Sequence, residues 1–79
     1  MRVRLFASLR DLAGRSEVRL DLPPGASTED AWQALAKDYP AVAARRASLM
    51  ASVNRRYAPF DTALSEGDEV VFIPPVSGG

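Results

Sequence analysis

The sequence predicts a single α+β domain, in which a mixed sheet of about five strands carries one main helix on one face. Three observations support this prediction. The chain has 79 residues, of which 47% are hydrophobic and 25% charged, so it can build one globular core and is too short for two. Several short segments alternate apolar and polar residues, as half-buried strands do. One longer segment repeats apolar residues at helical spacing.

The first third of the chain predicts two strands and a short helix. Residues 2–6 alternate, so that Val3 and Leu5 lie on one face and Phe6 on the other. Residues 7–13 have apolar residues at helical spacing (Leu9, Leu12, Ala13) and are followed by Gly14, which can end a helix in the left-handed conformation. Residues 17–22 alternate again, with Val18, Leu20 and Leu22 inward, and the Pro23-Pro24-Gly25 segment ends this strand, which we expect to pair with the first.

The main helix is predicted over about 28–38. Ser27 or Thr28 can cap it, and carboxylates follow in its first turn, where they meet the positive end of the helix dipole. Its apolar stripe consists of Ala31, Trp32, Leu35, Ala36 and Tyr39. The helix must end before Pro40, and residues 41–46 form a weak extra turn.

The remaining elements complete the sheet. Residues 49–54 and 69–73 are typical of strands, with a short edge strand near Tyr57 and a turn at residues 65–68 that contains Gly67. The order of elements favours a β-grasp roll over residues 1–73, in which the first and last strands pair in parallel at the centre.

The composition excludes several kinds of chemistry. The chain has no His and no Cys, so it lacks the residues for a thiolate nucleophile, an imidazole base or a familiar zinc site. We therefore expect no self-contained active site and no bound cofactor. Ten basic residues balance ten acidic ones, so neither nucleic acid nor a membrane is an expected partner. No apolar run suits a membrane span or a signal peptide, and we expect a cytoplasmic protein.

The last strand predicts an apolar surface on the face of the sheet that the helix leaves open. If Val70 and Phe72 face the helix, Val71 and Ile73 must face the other side. Phe6 and Tyr57 can extend the same side. A contiguous patch of this kind marks a partner interface, whereas scattered apolar residues on a surface are ordinary.

Residues 74–79 are predicted to form an extended, flexible tail. The Pro74-Pro75 pair ends the sheet, and Val76-Ser77-Gly78-Gly79 follows. Six extended residues span about 20 Å, and two terminal glycines have no side chains to obstruct a narrow channel. The group delivered by such a tail is the C-terminal carboxylate, which is a poor acyl electrophile until it is activated. A frayed Gly-Gly end without function is the alternative.

The whole chain resembles the molybdopterin synthase small subunits (the MoaD family), which are ubiquitin-like sulfur carriers. The resemblance is most specific in residues 53–79, which contain Val53-Asn54, the segment Leu64 to Val70 with Gly67-Asp68-Glu69, and the ending Pro74 to Gly79. The opening from Val3 to Leu12, with Phe6 and Leu9-Arg10-Asp11-Leu12, is also similar. Tyr57 and Ile73 depart modestly from the family pattern, which often has an aliphatic and an aromatic residue there.

The resemblance implies a sulfur carrier without catalytic residues of its own. A ubiquitin-activating-like enzyme (MoeB type) would adenylate the Gly79 carboxylate with ATP and Mg, and a sulfur donor system would convert it to a thiocarboxylate. The tail would then enter the large subunit (MoaE type), in a complex of two small and two large subunits, and pass sulfur to cyclic pyranopterin monophosphate during molybdenum cofactor synthesis. Gly78 would provide clearance in the channel.

The resemblance also implies a set of partner-binding residues: Phe6, Arg10, Tyr57, Ile73, Pro74, Pro75, Val76 and Ser77. Arg10 can equally be a solvated helix residue, and the basic pairs at 45–46 and 55–56 are typical of solvated surface. Two other functions stay open, namely a carrier or protein modifier for another pathway (tRNA thiolation, thiamine) and a β-grasp interaction module with an inert tail.

Overall fold

The computed structural model describes residues 1–74, and its elements follow the predicted order. The five strands are β1 (Arg2–Leu5), β2 (Glu17–Arg19), β3 (Met50–Val53), β4 (Arg56–Tyr57) and β5 (Glu69–Ile73). The helices are α1 (Ala7–Ala13), α2 (Thr28–Asp38) and a 3₁₀ helix (Pro40–Arg45).

The strands form one mixed sheet in the order β2-β1-β5-β3-β4. β1 and β5 pair in parallel at the centre, with Val3 opposite Val70 and Leu5 opposite Phe72. The other neighbours are antiparallel. This arrangement confirms the β-grasp prediction, including the central parallel pair.

The core lies between the sheet and α2. Val3, Leu5, Val70 and Phe72 are each at most 1% exposed, as is Trp32 of α2. The Trp32 ring meets the Phe72 ring edge to face, with 5.1 Å between centroids. The prediction that Trp32 belongs to the core is therefore confirmed.

The start of α2 is fixed by Ser27, and not by the alternative Thr28. The Ser27 hydroxyl accepts a hydrogen bond from the Asp30 amide at 3.1 Å, and the Asp30 carboxylate accepts one from the Ser27 amide at 2.9 Å. This reciprocal pair is a capping box. Thr28 is instead buried in the first turn, where its hydroxyl donates to the Thr62 carbonyl at 3.3 Å.

Several elements are shorter than predicted. β1 ends at Leu5 because Ala7 has a φ of 51°, which turns the chain out of the strand into α1. β2 ends at Arg19, which is the pairing partner of Arg2 at the start of β1, and the Leu20 amide makes one more bond, to the carbonyl of Met1. Leu22 is consequently only partly buried. α1 connects β1 and β2, so the two strands are antiparallel neighbours without a tight hairpin turn.

Two further features bear on the predictions. Among residues 1–74, no helix has the length and apolar character that crossing a bilayer requires. The predicted tail begins at Pro74, which follows β5 directly, and its remaining part, residues 75–79, lies outside the described residues.

Candidate functional site

The face of the sheet turned away from α2 carries two different surfaces. At the end where β1 and β5 begin, it is charged: Arg2 lies 3.7 Å from Glu17 and 3.6 Å from Glu69. At the end where β1 and β5 finish, it is apolar. We call this second surface the apolar patch, and it consists of Phe6, Met50, Tyr57, Val71 and Ile73.

The strand register makes the apolar patch contiguous. Ile73 of β5 is the pairing partner of Met50 on β3, and Phe6 follows the Leu5–Phe72 pair on the other side of β5. Directly opposite residues on neighbouring strands point to the same face. Phe6, Ile73 and Met50 therefore form one row across three strands, next to the end of β5 where Pro74 follows.

A second row supports the first. Val71 pairs with Ser52, and Ser52 pairs with Tyr57 on β4, so Tyr57 lies on the same face as Ile73. Phe6 is 45% exposed, Met50 49% and Tyr57 71%. Neighbouring large apolar residues with this exposure leave a surface that a partner can cover. The prediction that Phe6, Tyr57 and Ile73 share one face agrees with this register.

The backbone around Phe6 determines where its side chain lies. Phe6 is the N-cap residue of α1, with an extended backbone (φ −127°, ψ 160°) and no side-chain capping bond. The following residue, Ala7, has a φ of 51°, a left-handed conformation that is unfavourable for a residue with a Cβ atom. The Arg4 guanidinium lies 5.7 Å from the centroid of the Phe6 ring, so a cation borders the apolar patch.

Met50 and Ser52 were missing from the predicted site residues. The alternation of residues 49–54 carried the necessary signal, because Ala51 faces the core and its two neighbours must face the other side. Ser52 is 8% exposed although it lies on the open face. Its pairing partners on the two neighbouring strands are Val71 and Tyr57.

Arg10 lies on α1 and not on the sheet. Its side chain is 57% exposed and its Nε atom is 4.0 Å from an oxygen of Asp11. Its backbone amide donates to the carbonyl of Phe6 at 3.5 Å, so Arg10 lies one helical turn from this member of the apolar patch. Its role in partner binding stays a prediction. Of the predicted tail residues, Pro74 is described and half-buried, whereas Pro75, Val76, Ser77, Gly78 and Gly79 lie outside the described residues.

The Asn54 side chain fixes the turn between β3 and β4 to the start of β5. Asn54 and Arg55 have φ values of 51° and 70°, as a two-residue hairpin turn with two left-handed residues requires. The Asn54 amide group donates to the Asp68 carboxylate at 2.9 Å, and its carbonyl accepts from the Glu69 amide at 3.0 Å. The Ser65 amide also donates to Asp68, at 2.8 Å. The Ser65 and Asn54 bonds hold the pKa of the Asp68 carboxyl below its usual range.

A second network lies at the other side of α2. The Arg46 guanidinium donates twice to one Glu29 oxygen, at 2.6 and 3.0 Å, and lies 3.8 Å above the Phe60 ring. Phe60 in turn stacks on Phe72. The bonds from Arg46 and from Gln33 lower the pKa of Glu29. Both networks connect loops to the sheet or to α2, and none of their residues belongs to the apolar patch. Phe60 nevertheless lines a surface depression together with Met50 and Tyr57 of the patch, and Ser65 lines a separate one.

Within residues 1–74, no group of His, Cys, Asp or Glu side chains is placed to hold a metal ion. The geometry instead offers a surface for docking, whose apolar part lies at the end of β5.

Comparison with known proteins assigns the family. The sequence model of the ThiS family matches residues 3–79. The molybdopterin synthase sulfur carrier subunit of Escherichia coli is 38% identical over 81 residues, covering all of this chain and 99% of that protein. Small archaeal modifier protein 1 of Haloferax volcanii is 36% identical over 87 residues, covering all of both chains.

Solved structures agree with this assignment. A crystal structure of the Haloferax volcanii protein has a TM-score of 0.90 and 34% identity, with 99% of this chain and 97% of that one covered. Subunit 1 of the molybdopterin-converting factor of Helicobacter pylori, solved in complex with subunit 2, has a TM-score of 0.67, 99% and 96% coverage and 18% identity, which shows the fold alone. The chain therefore belongs to the ThiS family, among relatives that include molybdopterin synthase sulfur carrier subunits and a small archaeal modifier protein.

Proposed function

We propose that this protein is the sulfur carrier of a molybdopterin synthase and that Gly79 is its reacting residue. The observation that carries the proposal is the position of the apolar patch, which adjoins the end of β5 where the terminal residues begin. A partner that covers the patch would receive those residues at its own surface. The name of the E. coli relative, which identifies it as a sulfur carrier subunit, supports a large subunit as that partner.

The chemistry requires two steps that other proteins catalyse. A Gly79 carboxylate oxygen attacks the α-phosphorus of MgATP in an adenylating enzyme, which releases pyrophosphate and leaves an acyl-adenylate. A sulfur nucleophile at the oxidation level of hydrosulfide, supplied by a donor system, then attacks the carbonyl carbon, and AMP leaves. The product is a thiocarboxylate on Gly79. Its sulfur forms a bond to a carbon of cyclic pyranopterin monophosphate in the large subunit and displaces an oxygen of that substrate, and water then hydrolyses the acyl–sulfur bond and returns the Gly79 carboxylate. The part of this chain is to bind the enzymes and present its own terminus.

Intact-mass measurement tests the proposal. The full chain and a chain lacking Gly79 are incubated with an adenylating enzyme of proven activity, MgATP and a sulfur donor, and a reaction without ATP is the control. We expect only the full chain, and only with ATP, to exchange one carboxylate oxygen for sulfur. If neither chain changes, the inert interaction module replaces the carrier.

A protein modifier is the second candidate, because the Haloferax volcanii relative is a modifier protein. In that case the activated Gly79 carbonyl forms an amide with a lysine of another protein. Mass spectrometry of the acceptor proteins after the same incubation distinguishes the two functions. Lysines linked to Gly79 support the modifier, and a thiocarboxylate without such links supports the carrier.

A further inference from the structure

The outer edge of the sheet at β2 is an open strand edge. The Leu5 amide donates to the Ser16 carbonyl at 2.9 Å, and the Leu20 amide to the Met1 carbonyl at 3.0 Å. In an antiparallel ladder, bonded and non-bonded residues alternate. Residues 16, 18 and 20 therefore direct their amides and carbonyls toward β1, whereas Glu17 and Arg19 direct theirs outward. An edge of this kind can pair with another strand.

The charges along this edge are self-complementary. Four charged residues lie symmetrically about Val18, on β2 or directly beside it. They are Arg15, Glu17, Arg19 and Asp21, and all four are exposed. If a second copy pairs antiparallel about Val18, Glu17 faces Arg19 of that copy and Arg15 faces its Asp21. The two-fold axis repeats both pairs, so all four pairs join opposite charges. The two Glu17–Arg19 pairs lie within β2, and the two Arg15–Asp21 pairs flank it, with Arg15 also donating to the Tyr39 hydroxyl of its own chain at 3.5 Å. Such pairs favour strand association, whereas like charges directly opposite oppose it.

Other alignments of the same edge are less favourable. Pairing about Glu17 sets Glu17 against its own copy and Arg15 against Arg19. Pairing about Arg19 sets Arg19 against its own copy and Glu17 against Asp21. Alignments about residue 16 or 20 keep only two opposite-charge pairs, and their centres lie outside β2. The register about Val18 is also the one in which the outward amides and carbonyls of Glu17 and Arg19 face each other.

The environment of Arg19 within one chain supports the same pairing. Arg19 is the pairing partner of Arg2 on β1, so two like charges lie side by side. Among residues 1–74 no carboxylate lies within ion-pair distance of Arg19, since Arg2 takes both Glu17 and Glu69. A second copy would bring a carboxylate, its Glu17, to this cation.

We infer that this protein self-associates through β2, with two copies paired antiparallel about Val18 in one ten-stranded sheet. The two-fold axis is perpendicular to the sheet, so both apolar patches lie on the same side. β5 is two strands away from the shared edge, a distance of about 10 Å. The patch and the terminal residues therefore stay available, and this association is independent of the proposed sulfur transfer.

Analytical ultracentrifugation of the full chain from about 10 μM to about 1 mM tests the inference, because two short edges bury little area and associate weakly. We expect a monomer–dimer equilibrium that added salt weakens. Glu17→Arg and Arg19→Glu should each raise the dissociation constant about tenfold or more, because each creates two like-charge pairs. Arg55→Glu and Glu66→Arg make the same charge changes away from β2 and should have no effect.

Mixing the variants gives the most specific result. In a mixture of Glu17→Arg and Arg19→Glu chains, every cross-strand pair at positions 17 and 19 again joins opposite charges, so a heterodimer should form. The double variant with both substitutions should also dimerise, which shows that the exchanged residues leave the fold intact. A monomeric wild type up to about 1 mM, equal effects of the control variants, or no heterodimer in the mixture would each overturn the inference.

Discussion

Phe6→Asp separates docking from folding, because the structure predicts different consequences for the two. Phe6 is 45% exposed, and full burial of a Phe side chain contributes about 1.5–3 kcal/mol. The half that is buried in the folded chain therefore contributes about 1 kcal/mol. The nearby Arg4 guanidinium adds roughly 0.5 kcal/mol at such an exposed site. Losing both would destabilise the fold by about 1.5 kcal/mol.

The new side chain offsets part of this loss. Phe6 is the N-cap residue of α1 and makes no side-chain capping bond. Asp is a favourable N-cap residue, and a good cap contributes about 1 kcal/mol. We therefore expect a net loss of only about 0.5–1 kcal/mol, or a few degrees in the melting temperature.

Phe6→Asp should weaken binding to the large subunit far more than it lowers the stability of the free chain. The exposed half of Phe6 provides about 1 kcal/mol when a partner covers it, and removing water from the new carboxylate in an apolar interface costs about 1–3 kcal/mol more. The sum of at least about 2 kcal/mol corresponds to a roughly 30-fold higher Kd. Isothermal titration calorimetry with the cognate large subunit measures it, together with thermal melting of the free chain.

Leu12→Asp is the matched control. Leu12 is 37% exposed and lies on α1, outside the apolar patch. Leu12→Asp should leave the Kd for the large subunit unchanged. The assignment of the apolar patch is wrong if Phe6→Asp changes Kd less than about threefold, or if its melting temperature falls by more than about 10 °C, which would make Phe6 a core residue.

Three further experiments test the fold. Trp32→Ala removes a fully buried ring in contact with Phe72 and should lower the free energy of unfolding by about 3–5 kcal/mol in urea titrations; a loss under 1 kcal/mol would contradict its position in the core. Glu29 and Asp68 have lowered pKa values, so the stability they contribute is present above their unfolded pKa values near 4 and is lost as pH falls through the folded ones. In a double variant with Glu29→Gln and Asp68→Asn, the urea concentration at the unfolding midpoint should fall less steeply below about pH 4 than it does in the wild type. An equally steep fall would contradict the stabilising roles of the two carboxylates. Gly14→Ala should lower the free energy of unfolding by about 1 kcal/mol in the same titrations, because Gly14 has a φ of 74°, which is unfavourable for a residue with a Cβ atom. No atom lies within 4 Å of the added Cβ atom, so the loss comes from the backbone conformation alone. A neutral result would show that the left-handed cap is dispensable.

The sequence predicted the sheet and the core because both follow from periodicity. Val70 and Phe72 alternate with Val71 and Ile73, and burial of the first pair forces the second pair to the open face. The position of Gly14 at the end of α1 was predictable for a similar reason, since its local conformation excludes most other residues.

Periodicity could not predict the precise ends of the strands. It assigns Met50 to the open face but does not show which residues lie beside it. β2 ends at the residue that pairs with the start of β1, and that depends on the register between two segments distant in the chain. Met50 joins the patch because it pairs with Ile73, again through register. Arg46 was expected to be solvated, but a contact with Phe60 and an ion pair with Glu29 place it against the core, and no local pattern signals either contact.

The motif residues Asn54 and Asp68 gain a physical explanation from the fold, and it is not a chemical role in sulfur transfer. Their hydrogen bonds lie at the start of β5, whereas the apolar patch lies at its end. Because side chains alternate, a slip of one residue between β3 and β5 would turn Ile73 to the core and Phe72 to the open face. By fixing the β3–β4 turn to the Glu69 amide, Asn54 sets the register that keeps Met50 beside Ile73. Asn54 and Asp68 thus support the register that the apolar patch requires, and their replacement should weaken docking of a partner although neither residue belongs to the patch.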